Sequence, residues 1–205
     1  MKKIITLFER NFETDRLVRN EVTPGAEWVL AGEGTPTQKF DGTCCMVKDG
    51  VLYKRYDVKN GWEVDPDGRL IQLAAPRGFI PAQEPDPITR HWSGWMAVSE
   101  TAPEDRWHRE AWEQERGRFG APPPDGTYEL CGPKLQGNPE GLSEHRLLPH
   151  GSVLLPDFPR HYDDIWAWFA APVVSIEGVV FWRNLDGDDC DKVKIKARDF
   201  GFRRR

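Results

Sequence analysis

The stretch Lys39-Phe40-Asp41-Gly42-Thr43-Cys44-Cys45-Met46-Val47-Lys48-Asp49-Gly50-Val51-Leu52-Tyr53-Lys54-Arg55-Tyr56 decides how this chain is read. Residues 43–47 and 51–56 are β-rich runs, and the Asp49-Gly50 pair between them suits the left-handed backbone of a two-residue hairpin turn. The spacing predicts a β-hairpin whose first strand follows directly on Lys39-Phe40-Asp41-Gly42.

Downstream of the hairpin, residues 61–68 read as a loop or second turn ending in Asp65-Pro66-Asp67-Gly68. Residues 79–87 are Pro-rich and aperiodic, so they are expected to cross the surface. Residues 103–118 read as a helix, with Pro103 at its start, Glu104 and Asp105 in its first turn, Arg116 and Arg118 at its end and Gly120 beyond. Trp107 and Ala111 lie one turn apart and would dock its inner face. Ala121-Pro122-Pro123-Pro124 breaks the chain before a strand over 125–131. A short strand over 152–155, a short helix over 162–170 and a strong strand over 175–182 follow. Asp186-Gly187 would then turn the chain into Lys192-Val193-Lys194-Ile195-Lys196, whose alternation is that of a strand buried on one face.

At 205 residues the chain fits one sizeable domain or two tightly joined lobes. Hydrophobic residues at 39% and charged residues at 30% are those of a globular chain. Nine Trp is many for this length, and several fall in the segment 79–120. Cys44, Cys45, Cys131 and Cys190 show no CxxC spacing, and His91, His108, His145 and His161 show no zinc-ligand spacing. The apolar start is cut off by Glu9 and Arg10, so no secretory signal is read there, and no stretch has the length of a membrane span. A cytoplasmic protein with reduced thiols is therefore expected. The net charge of -5 argues against a protein that coats nucleic acid by bulk attraction. Cations nevertheless gather from Lys192 onward, which fits a local phosphate-handling surface or, for Arg203, Arg204 and Arg205, a solvated tail.

Four separated pieces carry chemistry: Lys39-Phe40-Asp41-Gly42, Tyr128-Glu129-Leu130-Cys131-Gly132, Ile176-Glu177-Gly178-Val179-Val180 and Lys194-Ile195-Lys196. Each alone is a weak signal; all four in order, each on an expected strand, are a stronger one. Together they resemble the motifs of the covalent nucleotidyltransferases, which include DNA ligases, RNA ligases and mRNA capping enzymes. Lys39-Phe40-Asp41-Gly42-Thr43-Cys44-Cys45, with Gly94-Trp95-Met96-Ala97-Val98 and Asp105-Arg106-Trp107-His108, resembles more narrowly a family of small ATP-dependent RNA ligases.

That resemblance implies an α+β, ATP-grasp-like ligase core over residues 1–205, with two antiparallel sheets flanking an ATP cleft and peripheral helices. With only nine residues after Lys196, no C-terminal OB domain is expected. It implies that Lys39 is the nucleophile that becomes bonded to AMP, that Asp41 and Gly42 shape the adjoining turn, and that Arg55 lies near the ribose and the incoming 5′-phosphate. Glu129 is implied to contact ribose or support a metal, Glu177 to bind Mg2+ or Mn2+, and Lys194 and Lys196 to face the α-phosphate. Read without the resemblance, Arg55 would be a surface ion pair and Glu129 and Glu177 strand-edge carboxylates. Leu148 and His150 are further candidates for nucleotide contact, although an isolated His is commonly a packed or surface residue.

The chemistry asks for these residue types. An amine at its ordinary pKa near ~10.4 is only ~0.1% neutral at physiological pH, a handicap of roughly 4 kcal/mol, so burial or nearby positive charge is needed to lower it. Lys194 and Lys196, two apart on a strand, point to one face and would supply that charge while neutralising the phosphate as it reacts. The expected function is ATP-dependent joining of RNA 5′-phosphate and 3′-hydroxyl ends, with no membrane partner and with an accessory protein left open as a partner. The alternatives are a DNA ligase, a capping guanylyltransferase or a catalytically silent RNA-binding module.

Overall fold

The computed structural model describes residues 4–58, 62–72, 75–86, 91–185 and 191–203. Met1-Lys2-Lys3, Gly61, Pro87, the expected turn at Asp186-Gly187, Cys190, Arg204 and Arg205 lie outside them. In chain order the strands are β1 (Ile5–Thr6), β2 (Phe8–Arg10), β3 (Val18–Val22), β4 (Thr35–Lys39), β5 (Thr43–Lys48), β6 (Val51–Val58), β7 (Trp62–Val64), β8 (Leu70–Gln72), β9 (Ile80–Pro81), β10 (Trp92–Ala97), β11 (Gly126–Cys131), β12 (Arg146–Pro149), β13 (Gly178–Trp182) and β14 (Lys192–Lys196). Among the described residues three helices accompany them, α1 (Glu27–Leu30), α2 (Arg106–Phe119) and α3 (Tyr162–Ala170), with 3₁₀ turns at Pro103–Asp105 and Ala197–Phe200. The architecture is α+β, and none of the described helices is long and apolar enough to cross a membrane.

The chain divides into two compact units, and the boundary falls between Phe40 and Asp41, inside the Lys39-Phe40-Asp41-Gly42 motif. One unit holds Asp41–Pro149; the other joins the segment ending at Phe40 to the segment beginning at His150.

The Asp41–Pro149 unit is built on a six-stranded sheet in the order β12-β11-β5-β6-β10-β9. At its centre is the expected hairpin: Lys48 opposes Val51, and Asp49 and Gly50 take φ of 51° and 72°. Both values lie in the left-handed region that the mirror-image hairpin turn demands. Cys45, Val47, Leu52, Tyr128, Leu130 and Leu147 form its core, joined by Ala111 of α2 and backed by Trp107 and Trp112. Burying side chains of this size stabilises by about 1.5–3 kcal/mol each. The helix over 103–118 is present as expected, and Gly120 closes it with φ 69°. Glu104 and Asp105 lie in the first turn as expected, and Asp105 is in addition buried and ion-paired to Lys54 at 2.5 Å. Around the turn at residues 65–68 the chain pairs as β7 and β8, and the segment expected to cross the surface contributes β9.

The second unit carries a four-stranded sheet in the order β1-β14-β13-β4, plus the β2-β3 ribbon. β13 is antiparallel to both β14 and β4, but β1 runs parallel to β14, so this sheet is mixed and the expectation of two antiparallel sheets is corrected. The reason is topological: β1 and β14 come from opposite ends of the sequence, and no hairpin dictates their direction. The strand expected over 152–155 is reduced to an isolated bridge between Thr37 and Leu154. Gln38 N donates to Val153 O and Leu155 N to Pro36 O, both at 2.9 Å, but Pro36 has no N–H to extend the ladder and Pro156 ends the run. The strand expected over 175–182 begins at Gly178.

Candidate active site

Register explains which side chains meet in the second unit. Lys39 of β4 and Lys196 of β14 both oppose Gly178 of β13. Thr37 and Lys194 both oppose Val180, and Thr35 and Lys192 both oppose Trp182. Residues directly opposite one another point to the same face of a sheet, so this face carries Lys39, Lys192, Lys194 and Lys196. The other face carries Val179, Phe181, Val193 and Ile195, all at most 1% exposed, in a core with Leu7, Phe8, Val18, Ile165 and Phe169. The alternation of Lys192-Val193-Lys194-Ile195-Lys196 thus separates a charged face from a packed one.

Glu177 stands one residue before β13, where the chain bends into the sheet. Its carboxylate joins the two outer lysines: Lys39 Nζ donates to Oε2, and Lys196 Nζ donates to Oε1 at 2.5 Å. Lys39 Nζ also donates to the Phe40 carbonyl at 3.2 Å, and Phe40 itself is buried. Gly178 makes room for this group. A Cβ built there would lie 2.3 Å from Ile195 O and 2.8 Å from Lys196 Cα, so only glycine lets the three strands close at this row. The Glu-Gly pair is thereby explained: the carboxylate bridges the lysines, and the bare residue lets them flank it.

The electrostatics follow from partial burial of four charges. Burial pushes the Glu177 carboxyl up, but Lys39 and Lys196 outweigh it and hold the group below the usual carboxylate range. Burial, followed by the charges of Lys196 and Lys39, pushes the Lys194 amine down to about 8. Lys196 is lowered by burial and by Lys39, against the pull of Glu177. A buried surplus of positive charge is costly unless an anion arrives, and phosphate is the anion such a site suits.

Thr37 is buried beside this face; its hydroxyl donates to Val180 O at 3.2 Å and accepts from Trp182 Nε1 at 2.9 Å. Lys192 Nζ lies 4.0 Å from the centre of the Trp182 ring. Thr37 and Trp182 escaped the sequence reading, although two-residue steps from Lys39 and from Gly178 along the strands lead to them.

His150 opens the second segment of the unit that carries Lys39, and the other expected residues lie in the Asp41–Pro149 unit. Gly42 N donates to Glu129 Oε1 at 3.0 Å, and Asp41 N donates to Glu140 Oε1 at 3.0 Å. A Cβ on Gly42 would lie 2.2 Å from Leu130 O, so the glycine permits close passage of β11. Glu129 is buried and opposes Cys44 on β5 and Leu148 on β12. Arg55 opposes Trp95, with its guanidinium 5.1 Å from the ring centre. Glu140 was not singled out from the sequence, and it falls in a turn-rich stretch with no periodic signal. Among the described residues, Cys44, Cys45 and Cys131 form no disulfide. His145 pairs with Glu110 and stacks on Trp107, which makes it part of the packing of α2.

Glu177 is the carboxylate of this face that could hold a hard divalent cation, in exchange for one of its lysines. Glu177 is held ionised by its neighbours, and both of its oxygens already accept from cations. A carboxylate of that kind suits Mg2+ or Mn2+.

This chain is similar to proteins named RNA ligase 1. The relative from Pongo abelii is 28% identical over 211 residues, covering 74% of this chain and 63% of that protein. The relative from Rattus norvegicus is 26% identical over 225 residues, covering 81% of this chain and 67% of its own length. The relative from Danio rerio is 27% identical over 206 residues, covering 74% and 63%. The chain therefore spans about two thirds of the length of the relatives it matches. No family model matches the chain.

Proposed function

We propose that this chain is an ATP-dependent RNA ligase that works through a lysyl-AMP intermediate on Lys39. The observation that carries the proposal is the shared carboxylate: Lys39 and Lys196 are both bonded to Glu177, on the sheet face that also carries Lys194. Similarity to proteins named RNA ligase 1 supports RNA as the substrate class.

In the first step the Lys39 amine, having lost a proton, attacks the α-phosphorus of ATP. The N–P bond forms, the bond from that phosphorus to the bridging oxygen breaks, and pyrophosphate leaves. Lys196 and Lys194 neutralise the negative charge that builds on the α-phosphate oxygens. Glu177 holds Lys39 in line and is the carboxylate that would bind Mg2+ or Mn2+, with Glu129 as the second candidate. The metal, when bound, supplies charge neutralisation at the phosphates. In the second step a 5′-phosphate oxygen of an RNA end attacks the adenylate phosphorus, and the Lys39 amine departs and regains its proton. Arg55 is the residue assigned to that 5′-phosphate. In the third step a 3′-hydroxyl attacks the 5′-phosphate, AMP leaves and the hydroxyl proton is released. Each step is a phosphoryl or nucleotidyl transfer, in which positioning and charge neutralisation do most of the catalysis.

Incubation with α-labelled ATP and divalent metal, followed by denaturing electrophoresis, tests the first step. Label on the wild-type chain and none on Lys39→Ala is expected; an unlabelled wild-type chain refutes the proposal. GTP in place of ATP, and nicked DNA in place of RNA, separate the capping-enzyme and DNA-ligase alternatives. RNA binding without ATP consumption would favour the silent module.

A further inference from the structure

The strand that carries Lys194 and Lys196 does not end in solvent. It runs into the 3₁₀ turn Ala197–Phe200, and Asp199 of that turn is fully buried. The Lys196 backbone N–H donates to Asp199 Oδ2 at 2.9 Å. Asp199 Oδ1 accepts from the Arg10 guanidinium, which reaches it from β2. Burial pushes the Asp199 carboxyl up, with Arg10 opposing. A carboxylate this deep is costly to keep. What the carboxylate adds is direction. One oxygen fixes the main chain of Lys196, whose side chain is fixed at its other end by Glu177, and the second oxygen anchors that point to β2.

We propose that Asp199, tethered by Arg10, is a positioning residue that holds Lys196 in the place where it meets the nucleotide phosphate. This rests on the ligase proposal above, because it assigns Asp199 a task in the same reaction. Asp199 touches no reacting atom and acts only through Lys196.

The test is a double-mutant cycle on the full chain, measured as the rate of lysyl-AMP formation at saturating ATP alongside thermal stability. Asp199→Ala is expected to slow adenylylation about tenfold, the loss of one hydrogen bond to a charged acceptor. Asp199→Asn is expected to recover part of that rate, no more than Arg10→Met keeps, since its amide oxygen still accepts from the Lys196 N–H while its NH2 group cannot accept from Arg10. In a Lys196→Ala background, Asp199→Ala should slow the reaction by less than about twofold, because the residue it acts through is gone. The fall in melting temperature should be the same in both backgrounds, so packing damage and positioning separate. If Asp199→Ala does not fold, Arg10→Met removes the tether from the other side and should show the same dependence on Lys196. An equal rate loss with and without Lys196, or no rate loss at all, overturns the inference. A wild-type chain that takes no label refutes instead the ligase proposal beneath it.

Discussion

Gly178 is the position where the geometry of the candidate site can be tested without removing a functional group. Lys39 and Lys196 both oppose it, and a Cβ there would sit 2.3 Å from Ile195 O. Ordinary contact begins near 3.4 Å, so β13 and β14 must separate by about 1 Å to admit Ala. The obstacle is backbone on the neighbouring strand, which cannot rotate away as a side chain would. Overpacking of this kind costs about 1–3 kcal/mol, and at about 2–4 °C per kcal/mol for a chain of this size the melting temperature should fall by several degrees. The effect on chemistry should be larger than the effect on stability. A displacement of about 1 Å between a nucleophile and the groups that neutralise its target can cost on the order of 100-fold in rate. Thermal melting and the rate of lysyl-AMP formation, measured on the same Gly178→Ala preparation, give the two numbers. A folded variant that adenylylates at the wild-type rate would refute the claim that the Lys39–Gly178–Lys196 row sets the site.

Gly117, in α2, has open space around its would-be Cβ and no left-handed φ, so Gly117→Ala should stabilise by up to about 1 kcal/mol and leave adenylylation unchanged. Lys194→Met should raise the melting temperature at pH 7 while weakening ATP binding, read by calorimetry. The sign follows from the pKa held near 8 against an ordinary 10.5: the folded state binds fewer protons than the unfolded state between those values. The wild type therefore gains stability as pH rises from 8 towards 10.5, and the advantage of Lys194→Met should shrink across that window. Glu177→Gln should lower lysyl-AMP formation by about 100-fold or more, and a tenfold excess of Mg2+ should not restore it. Because the folded Glu177 carboxyl lies below its ordinary 4.5, its contribution is present above that value and is lost as pH falls through the lowered one, so wild type should lose more stability on acidification than Glu177→Gln. Arg55→Ala should spare lysyl-AMP formation and slow AMP transfer to 5′-phosphorylated RNA, seen by following both species on one gel.

Local signals were the legible ones. The hairpin of β5 and β6 was announced by Asp49-Gly50, and α2 by Pro103 at one end and Gly120 at the other. The run Lys192–Lys196 showed its packed and charged faces by alternation alone. The pieces that stayed hidden depend on partners distant in sequence. β1 has two residues and exists because β14 is there to pair with it. β4 contains Pro36, which argues against a central strand and is accommodated because β4 lies at the sheet edge. The run at 152–155 had strand composition but met a partner that could not supply a ladder. In the site, Lys39, Glu177, Lys194 and Lys196 were legible as residue types in order, whereas the bridging of two lysines by one carboxylate is set by register. Asp199 and Arg10 were invisible for the same reason, since their pairing spans nearly the whole chain.

The most direct measurement is peptide mapping of the protein after incubation with ATP and Mg2+, with mass spectrometry locating any AMP adduct. A single acid-labile adduct on the Lys39 side chain is predicted, absent from Lys39→Ala and discharged by 5′-phosphorylated RNA. An adduct on another lysine, or none on a folded wild-type chain, would contradict the central claim.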